Sequence, residues 1–220
     1  TKAEFEAWVK NHPKDKEAFE SNFTVIKRKG SDFVAVPYSE EYAEFLKPAA
    51  EHLKKAASLT DNESLKKFLN SRADAFLSNN YYQSDVDWVR LKDHGIEVVI
   101  GPYEVYEDEL FGYKAAFEAF ITRVDPQESV RLAKVVGFLK ELEEHLPVDN
   151  QFKGIGRNLS SPIVVAQEIY TAGDSKRGVQ TLAFNLPNDE TIRKEVGSKK
   201  VMLKNVQHAK YDKILVPIAK

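Results

Sequence analysis

Hydrophobic positions in the first half of the chain recur with a helical period. Phe5, Trp8 and Val9 mark a short amphipathic helix that ends near Pro13. Phe23-Thr24-Val25-Ile26 and Phe33-Val34-Ala35-Val36 flank the turn signal Lys29-Gly30-Ser31, which predicts a hairpin. Tyr42, Phe45, Leu46, Ala49, Leu53, Ala56 and Ala57 then form a stripe, with Ser39 as its candidate cap. Thr60-Asp61-Asn62-Glu63 reads as a capping box for a further helix carrying Leu65, Phe68, Leu69, Phe76 and Leu77.

The second half changes character. Ile96–Ile100 is rich in β-branched residues and stops at Gly101-Pro102, a turn pair. Residues 113–121 alternate, with Tyr113, Ala115, Phe117, Ala119 and Ile121 on one side, which favours a strand over a helix. Phe120 on the opposite side weakens that pattern. Asp125-Pro126-Gln127-Glu128 starts a helix: Asp caps, Pro takes the first helical position and Glu lies in the first turn. Leu132, Val135, Val136, Leu139 and Leu142 carry it to Pro147. A polar Gly/Asn/Ser segment from Asp149 to Ser161 is the candidate loop or linker, and Ile163–Tyr170, Val179–Phe184 and Val201–Leu203 read as strands. Helices followed by strands predict an α+β protein: a helical N-terminal half over 1–94, then a β-rich segment over 95–220 with a long helix near 126–146.

Composition narrows the function classes. At 220 residues the chain can bury a sizeable core without disulfides or a structural metal. Lys and Arg number 32 against 34 Asp and Glu, a balance that argues against nucleic acid as a partner. Cysteine is absent, which excludes thiol catalysis and Cys-ligated metals and fits a cytoplasmic location. No apolar run approaches the roughly 18–20 residues of a membrane-spanning helix, and no signal peptide opens the chain. The apolar run from Tyr211 to Ile218 reads as a strand close to the last residue, and the only methionine is Met202. Both features suggest a piece of a longer protein.

Few motifs carry chemistry. Gly154-Ile155-Gly156 lacks the third glycine of a phosphate-cradling loop and has no strand leading into it. The histidines His12, His52, His94, His145 and His208 show no i, i+4 pair and no H-E-x-x-H, so the usual zinc-peptidase spacing is missing. Two segments stand out. The first, from Gly101 to Tyr113, carries Glu104, Glu107, Asp108 and Glu109 among aromatic residues. Crowded carboxylates raise one another's pKa unless a cation compensates, so this loop suits a metal, a Lys/Arg partner or a peptide amine. A solvated acidic loop is the alternative. The second is Phe184-Asn185-Leu186-Pro187-Asn188-Asp189-Glu190. Its asparagines offer donors and acceptors to a peptide backbone without charge. Alternatively, Asn185 closes a strand and Asn188 caps the next helix.

Together, "GPYEVYEDELFGYKAAFEAFI", "GVQTLAFNLPNDE" and "GSKKVMLKNV" resemble the dipeptidyl peptidase III family of zinc exopeptidases. The likeness is greatest to its bacterial-type members, whose relatives also occur fused behind Nudix domains in plants. It runs from about Trp8 to the end and is densest over residues 98–206. It implies a small antiparallel, barrel-like sheet that pairs with an extended peptide, and a second, mostly helical lobe that carries zinc. It further implies that Glu104 binds the substrate's terminal ammonium and that Tyr106 hydrogen-bonds near the scissile bond. Asn185 and Asn188 would hold the first residues of an oligopeptide with a free N-terminus, which would pair with the strand containing Leu182, Ala183 and Phe184.

One departure is large. The family's H-E-x-x-G-H motif and its later E-E-x-x-[AG]-like helix do not occur: Glu40-Glu41-Tyr42-Ala43 and Glu143-Glu144-His145-Leu146 do not match. The chain therefore resembles the peptide-binding part of such an enzyme, with zinc in the parent protein, none in this chain, and the catalytic lobe missing. By that reading this chain alone is inactive. A stand-alone, non-catalytic peptide-binding module is the competing expectation.

Overall fold

The computed structural model describes residues 1–106, 108–109, 111–153, 162–176 and 180–219, apart from the side chain of Lys140. The Gly154–Gly156 segment, most of the Asp149–Ser161 linker, Glu107 and Val179 lie outside the described residues. The chain is α+β, as its hydrophobic patterning predicts, and divides into two compact units. One comprises Thr1–His94, Val99–Ala119 and Ala172–Gly178; the other comprises Gly95–Val98, Phe120–Thr171 and Val179–Lys220.

In the first unit, helix α1 (Lys2–Asn11) begins with a capping box in which the Thr1 hydroxyl accepts from the Glu4 N–H. Helix α2 (Lys16–Glu20) leads into the predicted hairpin of β1 (Thr24–Lys29) and β2 (Asp32–Pro37), which turns at Gly30 with φ +65. Ser39 does not cap the next helix; it lies inside a short helix, α3 (Tyr38–Glu41), that precedes α4 (Ala43–Leu59). Helix α5 (Glu63–Ser78) starts two residues later than a Thr60 cap would require. Asn62 is its cap: its side chain accepts from Leu65 N at 2.8 Å, and Thr60 only accepts from the Asn62 N–H. Leu46, Ala50, Leu53 and Ala57 of α4 are buried, as are Leu65, Phe68, Leu69 and Phe76 of α5, which gives this unit its core. Helix α6 (Tyr82–Val89) has no clear apolar stripe in the sequence, yet it buries Val86 and Trp88.

The second, five-stranded sheet is curled as half a barrel and runs in the order β3-β4-β5-β7-β6. Its strands are β3 (Ile96–Glu104), β4 (Ala116–Val124), β5 (Ile163–Gly173), β6 (Ala183–Leu186) and β7 (Lys199–Leu203). β6 and β7 are antiparallel, whereas β5 and β7 run parallel, a departure from the all-antiparallel expectation. β3 passes straight through Gly101-Pro102, so that pair is no turn. On β4 the buried residues are Glu118, Phe120 and Thr122, the parity opposite to the stripe read from the sequence.

Two contacts within the second unit account for the curl. Lys199 of β7 donates to both oxygens of Glu97 on β3 at 2.9 Å, and the Phe120 ring of β4 stacks 5.1 Å from that of Phe184 on β6. In each pair the strands are three positions apart. In a flat sheet they would stand about 14 Å from one another.

Asp125 caps α7 (Pro126–Val136) by accepting from the Glu128 N–H at 3.1 Å. The single long helix predicted to Pro147 is broken near Gly137, and α8 (Leu139–Glu144) follows. Helix α9 (Glu190–Glu195) separates β6 from β7. The strand-like run from Tyr211 to Ile218 is helical instead. It continues α10 (Lys204–Lys210) through a π-helical turn at Tyr211–Leu215 into α11 (Val216–Ala219). Tyr211, Ile214, Leu215 and Ile218 are spaced i, i+3, i+4 and i+7, which places them on one helical face, and all four are exposed.

Candidate functional site

Glu104 closes β3 in the first unit, and the strand below it is fixed from the opposite face. Tyr103 points into a buried cluster in which Arg72 donates to both Asp85 and the Tyr103 hydroxyl, and that hydroxyl donates to Asp85 at 3.0 Å. The Arg72 guanidinium lies over the rings of Phe68, Tyr81 and Tyr103. Gly101 makes room for it: a Cβ there would stand 2.7 Å from Arg72 Nη1. Successive strand side chains alternate between faces, so anchoring Tyr103 on one face holds Glu104 on the other.

Glu104 has a partner that sequence reasoning missed. The carboxyl of Glu118, only 3% exposed, is hydrogen-bonded to that of Glu104. Burial pushes the Glu118 carboxyl up to about 9, and the neighbouring charges of Glu104 and Asp174 push the same way. At neutral pH Glu118 is therefore a carboxylic acid that donates a hydrogen bond to Glu104. One oxygen of each carboxyl, Oε2, is buried with no partner outside the pair. Glu118 also lines an apolar cavity with Tyr42, Phe45, Phe76, Phe117 and Ala172. The signal in the sequence is a lone acid in the apolar run AAFEAFI, on the strand face opposite the alternating stripe.

The rest of the acidic loop divides by role. Asp108 organises the loop itself: its Oδ2 accepts from the N–H groups of Tyr113 at 3.1 Å and Lys114 at 3.4 Å. Lys114 in turn donates to the carbonyls of Phe19 and Ser21, both at 2.7 Å, and to Thr24 Oγ1 at 2.8 Å. Burial lowers its ammonium to about 8, opposed by Asp108. Tyr106 is 74% exposed and Glu109 is exposed. Sequence crowding alone suggested a four-acid cluster; folding pairs Glu104 with Glu118 and turns Asp108 to the backbone.

In the second unit, the strand predicted over Val179–Phe184 begins only at Ala183 and continues to Leu186. Asn185 therefore lies inside β6, and Asp189, not Asn188, caps α9 by accepting from Thr191 N and Ile192 N. Asn185 and Asn188 are both exposed. β6 ends the sheet order, so among the described residues it is an edge strand. Leu182 precedes it and is tied down: its carbonyl accepts from Leu203 N at 2.9 Å and from Gln207 Nε2 at 3.1 Å. In an antiparallel pair, residues bonded to the partner alternate with residues whose backbone groups point away. Leu182 bonds to β7, so Phe184 and Leu186 do likewise, and Ala183 and Asn185 turn their N–H and C=O groups to the open edge.

Among the described residues, no three His, Asp or Glu side chains come together as a metal site would need. The described residues therefore do not fit zinc. No helix of the described residues is long and apolar enough to cross a membrane.

The same fold occurs in solved structures. The chain is 45% identical over 240 residues to "Nudix hydrolase 3" of Arabidopsis thaliana, covering 99% of this chain and 31% of that protein. The structure of DPP III from Caldithrix abyssi superposes with a TM-score of 0.95 at 62% identity, covering 100% of this chain and 42% of that one. DPP III from Corallococcus sp. strain EGB does so with a TM-score of 0.88 at 50% identity, covering 100% and 41%. The chain thus spans about a third of the plant protein and about two fifths of each bacterial chain. Residues 2–218 match the profile of peptidase family M49, and the chain belongs to that family.

Proposed function

We propose that this chain is the substrate-binding part of a zinc-dependent dipeptidyl peptidase that releases dipeptides from the free amino ends of peptides. The open edge of β6 carries the reading. Ala183 and Asn185 offer outward backbone groups to which an extended peptide adds as a further strand. Main-chain pairing gives affinity with little sequence selectivity, which suits an exopeptidase. Exposed Asn185 and Asn188 contact the first residues of the peptide, and Tyr106 contacts it near the scissile bond. Glu104 receives the terminal ammonium. Zinc and the activation of water belong to a part of the peptidase outside these 220 residues, so this chain alone binds and does not cleave.

The decisive experiment titrates the protein with a tetrapeptide bearing a free amine and with its acetylated form. The free form should bind at least about tenfold tighter, the scale of one charge-assisted contact. Equal affinities would sink the reading. Zinc-dependent release of dipeptides by a full-length protein carrying this chain tests the enzymatic half, and a full-length protein without that activity overturns it.

A further inference from the structure

The Glu104–Glu118 pair lies among groups that leave its proton poised to move. The Glu118 carboxyl is buried against that of Glu104, and burial together with that acidic neighbour keeps a proton on it at neutral pH. The Oε2 atom of each is buried and has no hydrogen-bond partner outside the pair. The titratable groups acting on Glu118 are Glu104 and Asp174, and Tyr103 of β3 also feels its charge. The apolar residues of the adjoining cavity supply no compensating charge.

We propose that Glu118 is the second carboxyl of the amine site, and that a peptide's terminal ammonium displaces the proton shared between Glu118 and Glu104. The inference rests on the reading of Glu104 given above. Before binding, the pair holds one proton and one negative charge. An ammonium group brings donors for both carboxyls, and its charge favours the ionised form of Glu118. The proton on the Glu118 carboxyl passes to solvent, and the site closes as one ammonium between two carboxylates. No covalent bond is made or broken beyond that O–H. The device selects for a charged amine over an acetylated end, because a neutral amide nitrogen cannot draw the proton off.

Calorimetric titration of the protein at pH 7 in phosphate and in Tris, buffers of different ionisation heat, reads the proton directly. The free-amine tetrapeptide should release about one proton per peptide and the acetylated one none. Between pH 5.5 and 7, affinity for the free-amine peptide should rise by up to about tenfold per pH unit. In Glu118→Gln the release and the pH slope should vanish while the preference for a free amine persists. Preference for the free amine without proton release in the unaltered protein overturns this proposal and leaves the proposed function standing. No preference for the free amine overturns the reading of Glu104, and this inference with it. The measurements on the unaltered protein decide the matter even if the variant fails to fold.

Discussion

Glu118 shows how much a single buried acid can shape a site. Its carboxyl is raised to about 9 by burial and by its acidic neighbours, whereas in the unfolded chain it titrates near the ordinary value of 4.5. Its folded pKa lies above its unfolded one, so its contribution to stability is fully present below about pH 4.5 and is lost as pH rises through about 9. Glu118→Gln stays neutral throughout. Its urea midpoint should therefore gain on that of the parent between pH 5 and 9, by on the order of 1 kcal/mol or more in stability. A difference that stays constant with pH would refute this. Arg72 poses the converse case, a fully buried cation with one carboxylate partner, Asp85. Asp85→Ala leaves that charge unpaired and should cost about 3–5 kcal/mol in urea unfolding. An exposed pair such as Arg193–Glu190 should cost under about 1 kcal/mol on the same treatment.

Among the elements, α5 and β6 are the instructive cases. Asn62 caps α5 and also donates from Nδ2 to the carbonyls of Lys92 and Asp93 at 2.9 and 3.0 Å. Asn62→Ala should lower stability by about 1–2 kcal/mol, more than Thr60→Ala, by thermal or urea unfolding. The reverse order would restore the capping box read from the sequence. The same four residues support either cap, and the choice between Thr60 and Asn62 falls to Asn62 because only its side chain also meets the 92–93 backbone. At β6, Ala183 turns its N–H to the open edge, so Ala183→Pro removes a donor that β7 does not use. Peptide affinity should fall about five- to tenfold with little change in melting temperature. Phe184→Pro, which breaks a bond to β7, should lower the melting temperature itself.

On the scale of the whole molecule, the buried Lys199–Glu97 pair joins β7 to β3 inside the second unit. Burial depresses the Lys199 ammonium and Glu97 pulls it back up. Lys199→Met takes the ammonium away from a buried carboxylate and should cost about 3–5 kcal/mol; adding Glu97→Gln should recover part of that loss, as a double-mutant cycle would record. Lys199 and Glu97 stand 102 residues apart along the chain, so neither announces the other in the sequence. The same holds for Phe120 and Phe184, whose stacking fixes which face of β4 is inside.

Local rules and short motifs settle a first part of this fold without any tertiary information. The α+β class, the hairpin at Gly30, the Asp125-Pro126 helix start and the stripes of α4 and α5 follow from periodicity and capping chemistry, which depend on neighbours a few residues away. The segments around Glu104 and Asn185 were legible as distinctive runs, and they carried the family resemblance that the match over residues 2–218 bears out. Tertiary structure alone decided the rest. It assigned the inner face of β4, where Glu118 and Thr122 are buried although polar, because their partners come from β3. It carried β3 through Gly101-Pro102, because Arg72 occupies the space a side chain at Gly101 would fill. It made the Tyr211–Ile218 run helical, because apolar residues at i, i+3, i+4 and i+7 satisfy a helical stripe as readily as a strand, and no strand pairs with them among the described residues. Composition and spacing record which groups are available; only the fold brings two carboxyls to one proton.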